Sequence, residues 1–459
     1  MNQAPEIVPA SQHAVSRKTI SNNALKVLER LHEGGYSSYL VGGGVRDALL
    51  ELQPKDFDIA TDASPEEVRA LFRNSRIIGR RFRLVHVVFG RDIIEVATFR
   101  ADHASGKGGE TGSDGRILRD NVYGSIEEDA LRRDFTVNAL YFNIADNTVV
   151  DFVGGLDDIE DGVFRLIGDP VQRCEEDPVR VLRAARLSAK LQFDIEQDTL
   201  DAMYDTAHML ENMPPARLFE EALKMFHGGY AVRSFHRLLE FDLFGYLFPQ
   251  TNSRLRDEVA EGDQRGYEKQ LIEAALKNTD SRVLRDQPVT PAYLLAFMQW
   301  GAVYECAQAF LKKGMSPSDA IWHAGDAVLP LQLKVTSIPK RFSAPMREIW
   351  SLQARLEQLP GNRALAVLEN RRFRAAYDFL CLRARFDESL QDAADWWTRV
   401  QEVDAEEQEQ MCNDKPVVTT HWGEPGGGSK RKRRARRSRG GRARTSKKSS
   451  NQNTSPGNK

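Results

Sequence analysis

The sequence predicts an α+β chain: a small mixed sheet with flanking helices comes first, and an elongated all-α extension follows. Three observations carry this expectation. Short apolar, β-branched runs such as Leu84–Phe89 and Ile93–Phe99 alternate with capped helical segments in the first third of the chain. From Glu176 strand signals fade and helical periodicity dominates to about Val403. The last stretch is basic and has no apolar anchors. The boundaries expected from these shifts are an arm at 1–20, a head at 21–170, a helical neck at 171–230, an all-α body at 231–410 and a disordered tail at 411–459.

Taken in order, residues 1–20 show no period and read as a loose, flexible arm. Ser21 to Leu31 places Ala24, Leu25, Leu28 and Leu31 on one stripe of a helix. Tyr39-Leu40-Val41 reads as a buried strand end, and Gly42-Gly43-Gly44 permits positive φ and close backbone approach. Val45 to Leu52 has helical spacing, with Leu49 and Leu52 on one side. Asp56-Phe57-Asp58 is expected in a strand, where alternation turns both carboxylates to one face and Phe57 into the apolar layer. Ser64-Pro65-Glu66-Glu67 supplies an N-cap, a proline at the first helical position and a capping-box glutamate for a helix to about Phe72. Two strands follow around Gly90-Arg91, then a mobile loop rich in Gly, Ser and Asp at 101–118. Ser125 to Glu128 offers a second capping box before a helix expected to carry Arg132, Arg133 and Asp134. Leu140–Ile144 and Thr148–Val153 form a hairpin around Ala-Asp-Asn.

Composition narrows the function classes. A chain of 459 residues with 41% apolar content can bury a large core. No run reaches the roughly 18 uncharged apolar residues of a membrane span, and no apolar secretory core opens the chain, so a cytoplasmic location is expected. Cys174, Cys306, Cys381 and Cys412 lack C-x-x-C spacing, which argues for reduced thiols and against zinc or disulfides. The net charge of −2 hides a division: residues 425–459 hold 13 Lys/Arg and no Asp/Glu, leaving 51 basic against 66 acidic residues in 1–424. Such a tail, with Lys430, Arg431, Lys432, Arg433, Arg434, Arg436, Arg437 and Arg439 at its centre, can hold a phosphate backbone by counterion release without reading sequence. The bland readings are a solubilising terminus or a patch for anionic lipid.

The chemistry is read from residues 40–58. A glycine turn and helix start can hold a triphosphate through backbone N–H groups, and Asp56 and Asp58 can hold the Mg²⁺ that phosphoryl chemistry requires. Neither G-x-G-x-x-G nor Gly-Lys-Ser/Thr is present, so this is not a dinucleotide fingerprint or a P-loop. Arg46 lies in the first helical turn, where a cation opposes the dipole unless an anion is bound. Alone, Asp-x-Asp is also ordinary turn chemistry, and the glycine turn is also a plain strand-to-helix connection. His86 reads as a hydrogen-bonded core residue.

These segments together resemble the head signature of the class II tRNA nucleotidyltransferase and bacterial poly(A) polymerase family, within the DNA polymerase beta-like superfamily. Leu40-Val-Gly-Gly-x-Val-Arg-Asp47 and Asp56-Phe57-Asp58 are followed in register by Glu95–Arg100, Arg132–Ala139 and Glu176–Arg186. The resemblance implies that Asp56 and Asp58 bind the catalytic metal, Mg²⁺ with Mn²⁺ as an alternative, and that Asp134 belongs to the catalytic set. Glu95 is the other candidate for a third acidic group. It implies further that Gly43, Gly44, Arg46 and Arg133 serve the nucleotide and that Asp177 and Arg180, three apart on one helix, read the base. Arg183 and Arg186 continue that face, where a solvated or ion-paired strip is the alternative.

The shared head leaves two polymerisations open. The segment from Ile77 to Val87, the neck segment Met213–Glu221 and the later Phe373–Ala384 resemble the poly(A) polymerase branch, and no His-Asp dipeptide marks a phosphohydrolase appendage. The expected activity is therefore template-independent addition of AMP from ATP to RNA 3′ ends, promoting RNA turnover, with RNA held by neck, body and tail. CCA addition to tRNA is the alternative within the family, and a non-catalytic RNA-binding adaptor is the alternative of another class. A monomer is expected, with RNA-chaperone, helicase and degradosome-type proteins as candidate partners.

Overall fold

The computed structural model describes residues 4–79, 83–101, 110–111, 117–119, 122–260, 266–357 and 364–413. The expected mobile loop at 101–118 and the basic tail therefore fall largely or wholly outside the described residues, apart from a short hairpin of β7 (Glu110–Thr111) and β8 (Ile117–Arg119).

The head is an eight-stranded mixed sheet. Its strands are β1 (Glu6–Val8), β2 (Ser38–Val41), β3 (Asp58–Thr61), β4 (Ser75–Ile78), β5 (Leu84–Phe89), β6 (Asp92–Thr98), β9 (Leu140–Asn143) and β10 (Val149–Asp151), in the spatial order β1-β10-β9-β2-β3-β6-β5-β4. Only β3 and β6 run parallel. One face of the sheet is covered by α1 (Asn22–Glu33) and α3 (Pro65–Leu71), which bury Val27, Leu28, Leu31 and Val68 against Leu40, Ile59, Val85, Val87, Ile94, Val96 and Phe142. The period of two then sends Val41, Asp58, Glu95, His86 and Tyr141 to the opposite face.

Several expectations meet their geometry here. Ser21 accepts from Ala24 N–H, and the Ser64/Glu67 and Ser125/Glu128 capping boxes are both formed. The segment expected to be a loose arm instead supplies edge strand β1, paired antiparallel to β10, and buries Val15 and Ile20. The glycine helix α2 runs Gly43–Leu49, so it starts earlier than expected and ends before Leu52, which is exposed. The reason is local: Gly42 takes φ +71° as the N-cap, and Glu51 at φ +56° turns the chain out of the helix.

Beyond the hairpin, α5 (Gly155–Asp161) and β11 (Val163–Phe164) close the head, and α6 (Pro170–Glu176), α7 (Val179–Leu191), β12 (Asp194–Ile195, paired with β11), α8 (Gln197–Thr206) and α9 (Pro215–Phe226) form the neck. The body continues through α10 (Ala231–Glu240) to the last described helix, which ends at Asn413. One apolar core runs without interruption from Phe135 and Phe164 of the head to Phe379 and Leu382 of the body. Deep in the body Arg383 and Glu357, both essentially unexposed, form an ion pair at 2.5 Å. Among the described residues no helix is long and apolar enough to cross a membrane.

Candidate active site

The register of the sheet builds the floor of a cleft of about 350 Å³. Asp58 on β3 is the direct partner of Glu95 on β6, and Glu95 is the partner of His86 on β5, so three titratable side chains lie in one row. His86 Nε2 meets Glu95 Oε1 at 3.0 Å. The expected hydrogen bond to His86 is thus present, but its partner is a carboxylate on the cleft side of the sheet. Removal from water, then the charges of Glu95 and Asp56, push the Asp58 carboxyl up to about 6 against the pull of Arg133. Asp56 itself precedes the strand, because β3 begins at Asp58. Phe57 still packs toward the apolar layer, as alternation requires.

Asp56 is held through its backbone. A Cβ on Gly44 would come within 3.2 Å of the Asp56 carbonyl oxygen and 3.8 Å of Leu40, so a glycine lets α2 lie against the acidic segment. A Cβ on Gly42 would stand 3.5 Å from Arg133 Nη1. Arg46 turns away from the cleft: it is buried, ion-paired with Asp47 at 2.5 Å and donates to Asn138. Asp47 in turn receives Lys190 from α7 at 2.7 Å. The dipole of α2 is therefore opposed by a cation whose charge is already met inside the fold.

The opposite wall comes from α4 (Ile126–Leu131), the turn after it and the neck. Arg133 donates to Tyr141 Oη at 2.9 Å and to Asp129 Oδ2 at 3.1 Å, and its guanidinium lies 5.1 Å from the centre of the Tyr141 ring. Burial works against its charge, but Tyr141 and Asp129 outweigh it and hold the guanidinium protonated. Asp134 lies beyond α4 rather than within it, since Arg132 is already the C-cap. Its carboxylate pairs with Arg183 at 2.5 Å and accepts from Phe135 N–H at 2.9 Å and Asn138 Nδ2 at 3.3 Å. Burial pushes its carboxyl up, yet Arg183 and those donors win and hold it below the ordinary range.

Asp177 and Arg180 both line the cleft, although not from one helix as expected. Pro178 has no N–H and keeps its predecessor out of helical conformation, so α6 ends and Asp177 sits in the break with φ −148°. Arg180 lies in the first turn of α7 and donates to Glu176 at 3.0 Å. Asp177 Oδ2 takes Arg217 from α9 at 2.9 Å. Farther along α7, Arg183 is committed to Asp134 and Arg186 to Glu221 at 2.9 Å, so of the arginine strip Arg180 alone reaches the lining. Among the described residues no three His, Cys, Asp or Glu side chains form a cage for a metal ion.

Comparison with known proteins decides the family. The chain is 48% identical over 415 residues to poly(A) polymerase I of Escherichia coli O157:H7, covering 89% of this chain and 88% of that protein. This chain belongs to the poly(A) polymerase I family. Poly(A) polymerase I of Haemophilus influenzae is 41% identical, covering 89% of this chain and 91% of that one. Residues 38–165 match the poly A polymerase head domain, 192–255 the probable RNA and SrmB-binding site of polymerase A, and 313–439 the polymerase A arginine-rich C-terminus. The CCA-adding enzyme of Bacillus pumilus is more distant, 36% identical and covering 51% of this chain and 57% of its own length. Among solved structures, the Bacillus stearothermophilus CCA-adding enzyme in complex with CTP shares the fold, with a TM-score of 0.54 at 24% identity over 82% of this chain and 80% of that one.

The poly(A) polymerase cleft also contains residues that sequence reasoning passed over. Asp129, Tyr141 and Arg100 belong to its wall or support it, and Arg100 N–H donates to Asp129 Oδ1 at 3.2 Å. The one signal available for Asp129 was its position four residues before Arg133 on a helix that begins with a capping box. Tyr141, eight residues after Arg133 and on a strand, offers no such spacing; the turn between them folds its hydroxyl back to the arginine.

Proposed function

We propose that this chain is a template-independent polymerase that adds AMP from ATP to RNA 3′ ends and releases pyrophosphate. The observation that carries the reading is the in-register Asp58–Glu95 floor facing Asp177 and Arg180, in a chain alike to poly(A) polymerase I over nine-tenths of its length. In the reaction the 3′ hydroxyl oxygen of RNA bonds to the α-phosphorus of ATP, the bond to the bridging oxygen breaks with pyrophosphate as leaving group, and the hydroxyl proton is lost.

The floor suits a divalent cation. Asp58 is raised to about 6 first by removal from water and then by the charges of Glu95 and Asp56, and a bound cation offsets both. Mg²⁺ takes one or two protein carboxylates and completes its shell with phosphate oxygens and water, which fits the adjacent carboxylates of this floor. Asp56 and Asp58 would hold it, with Glu95 as the third acidic group and Mn²⁺ as a substitute. When bound, the ion lowers the pKa of the attacking hydroxyl and offsets charge on the phosphates.

The remaining roles fall to this chain's own side chains. Arg133, fixed by Asp129 and Tyr141, and the backbone at Gly43 and Gly44 face the phosphates. Asp177 accepts from the adenine amino group while Arg180 donates to the ring, and Arg217 and Glu176 keep the two from turning. Asp134, Arg46, Arg183 and Arg186 are positioning residues that lock the turn, α2 and α7 together. The tail adds sequence-indifferent grip on RNA, and the protein acts in the cytoplasm, with SrmB a candidate partner through residues 192–255.

The test is incubation with Mg²⁺, an unstructured RNA primer and each nucleotide singly. A long ladder with ATP alone is expected. CTP incorporation onto trimmed tRNA would favour CCA addition, and no product with any nucleotide would favour an adaptor.

A further inference from the structure

The end of α13 (Tyr267–Leu284), the start of α14 (Pro291–Met298) and helix α19 (Phe373–Ala384) enclose a groove of about 510 Å³ in the body. Six arginines wall it: Arg282 and Arg285 on one side, Arg371, Arg372, Arg374 and Arg385 on the other. Arg371 and Arg372 share Glu348 at 2.6 and 2.8 Å, and Arg374 pairs with Asp378 at 3.1 Å. Arg282 donates to the Pro288 carbonyl at 3.3 Å, while Arg285 and Arg385 make no ion pair among the described residues. Six guanidinium groups thus meet two carboxylates.

Such a surplus repels itself and contributes nothing to the core. Guanidinium forks match phosphate oxygens in pairs, and arginines on two sides of a concave track suit a chain of phosphates better than a single ion. The uncharged part of the lining mixes polar residues such as Asn278, Ser281 and Thr290 with apolar ones such as Val289 and Leu382, which fits a strand with both phosphates and bases to place. One helix spans the distance between the cleft and the neighbourhood of the groove. Helix α9 begins near Arg217, which holds Asp177, and ends at His227, which lines a depression with Val283, Pro288 and Val289 beside the groove. Its 12 residues span about 18 Å, a few nucleotides of extended RNA.

We propose that this groove is a second RNA subsite, holding the phosphate backbone upstream of the 3′ end. The proposal rests on the polymerase reading. It lies outside residues 192–255, and its α13 and α14 walls fall in none of the matched regions.

The test is a triple variant, Arg282→Ala, Arg285→Ala and Arg385→Ala, in the full chain. All three side chains are exposed, and none belongs to the cleft. Binding is measured without ATP, by fluorescence anisotropy across a salt series, for an adenylate trinucleotide and for a single strand of about 20 nucleotides, longer than one compact single-strand site covers. The expected result is a Kd for the long strand raised on the order of tenfold and a log–log salt slope lowered by about 2, at about 0.7 per lost phosphate contact. Trinucleotide binding and extension should not change. Replacing the same three residues with lysine should restore most of the slope. An unchanged Kd and slope on the long strand would overturn the subsite and point to an acidic protein as the groove's occupant, and an equal loss on both primers would overturn it by placing the damage at the cleft. Failure of the unaltered chain to extend either primer would count against the polymerase reading alone, since the binding comparison does not depend on turnover.

Discussion

The two walls of the cleft treat charge in opposite ways. On the sheet side Asp58 and Glu95 stand side by side with Asp56 close by, and their mutual repulsion is left standing. On the neck side the lining charges Asp177 and Arg180 are answered by Arg217 and Glu176, and behind them, outside the lining, Asp134 is met by Arg183 and Arg186 by Glu221. A wall with open charge has somewhere to put a ligand's charge, whereas a wall of closed pairs keeps its shape when the ligand leaves. On the proposed reading the difference separates acids that meet the ligand from acids that hold the frame, and the ion pair of Asp134 with Arg183 places it with the second group.

The contrast breaks most visibly at Asp58. Asp58→Asn should lower nucleotidyl transfer on the order of a thousandfold while leaving the melting temperature equal or higher, because a repelled charge is removed; parallel activity and thermal-unfolding measurements check both. On the other wall the outcome should invert. Asp134→Ala should cost about 2 kcal/mol of stability, because Arg183 and two donors lose their acceptor, yet leave metal affinity near that of the unaltered chain. Denaturant unfolding and Mn²⁺ titration separate the two effects, and loss of metal binding would return Asp134 to the catalytic set.

A finer test uses pH. Asp58 titrates near 6 in the fold against an ordinary 3.8, so folding takes up a proton between those values and this group makes the fold less stable as pH rises through that window. Cation binding has the opposite slope, since it needs the carboxylate. Metal affinity should therefore fall below about pH 6, and Glu95→Gln should move that fall to lower pH by removing a repelling neighbour. A pH series of metal affinity for both proteins gives the answer.

How much of this was legible in the sequence depended on range. Capping boxes at Ser64 and Ser125 and the β9–β10 hairpin are local, and each formed as read, whereas the strand expected to carry both Asp56 and Asp58 begins only at Asp58. The expectation of one helix through Asp177 and Arg180 gave too little weight to Pro178, a local signal in plain view. Other features are set by register between distant strands. Nothing near Glu95 says that it will lie opposite Asp58; the meeting of Arg133 and Tyr141, eight residues apart, is set by the turn between them, which no periodicity announces. Ion-pair partners such as Arg183 and Arg217 are set by helix packing, so the arginine strip of α7 looked like one ligand-binding face and proved to be divided among three tasks.

The bare α-carbon at position 44 has a reach that its size conceals. Because Gly44 rests against the carbonyl of Asp56, the spacing between the glycine helix and the acidic segment is gauged by a single hydrogen atom. A side chain there would have to press the two apart by a few tenths of an ångström, moving the acidic segment without altering a charged group.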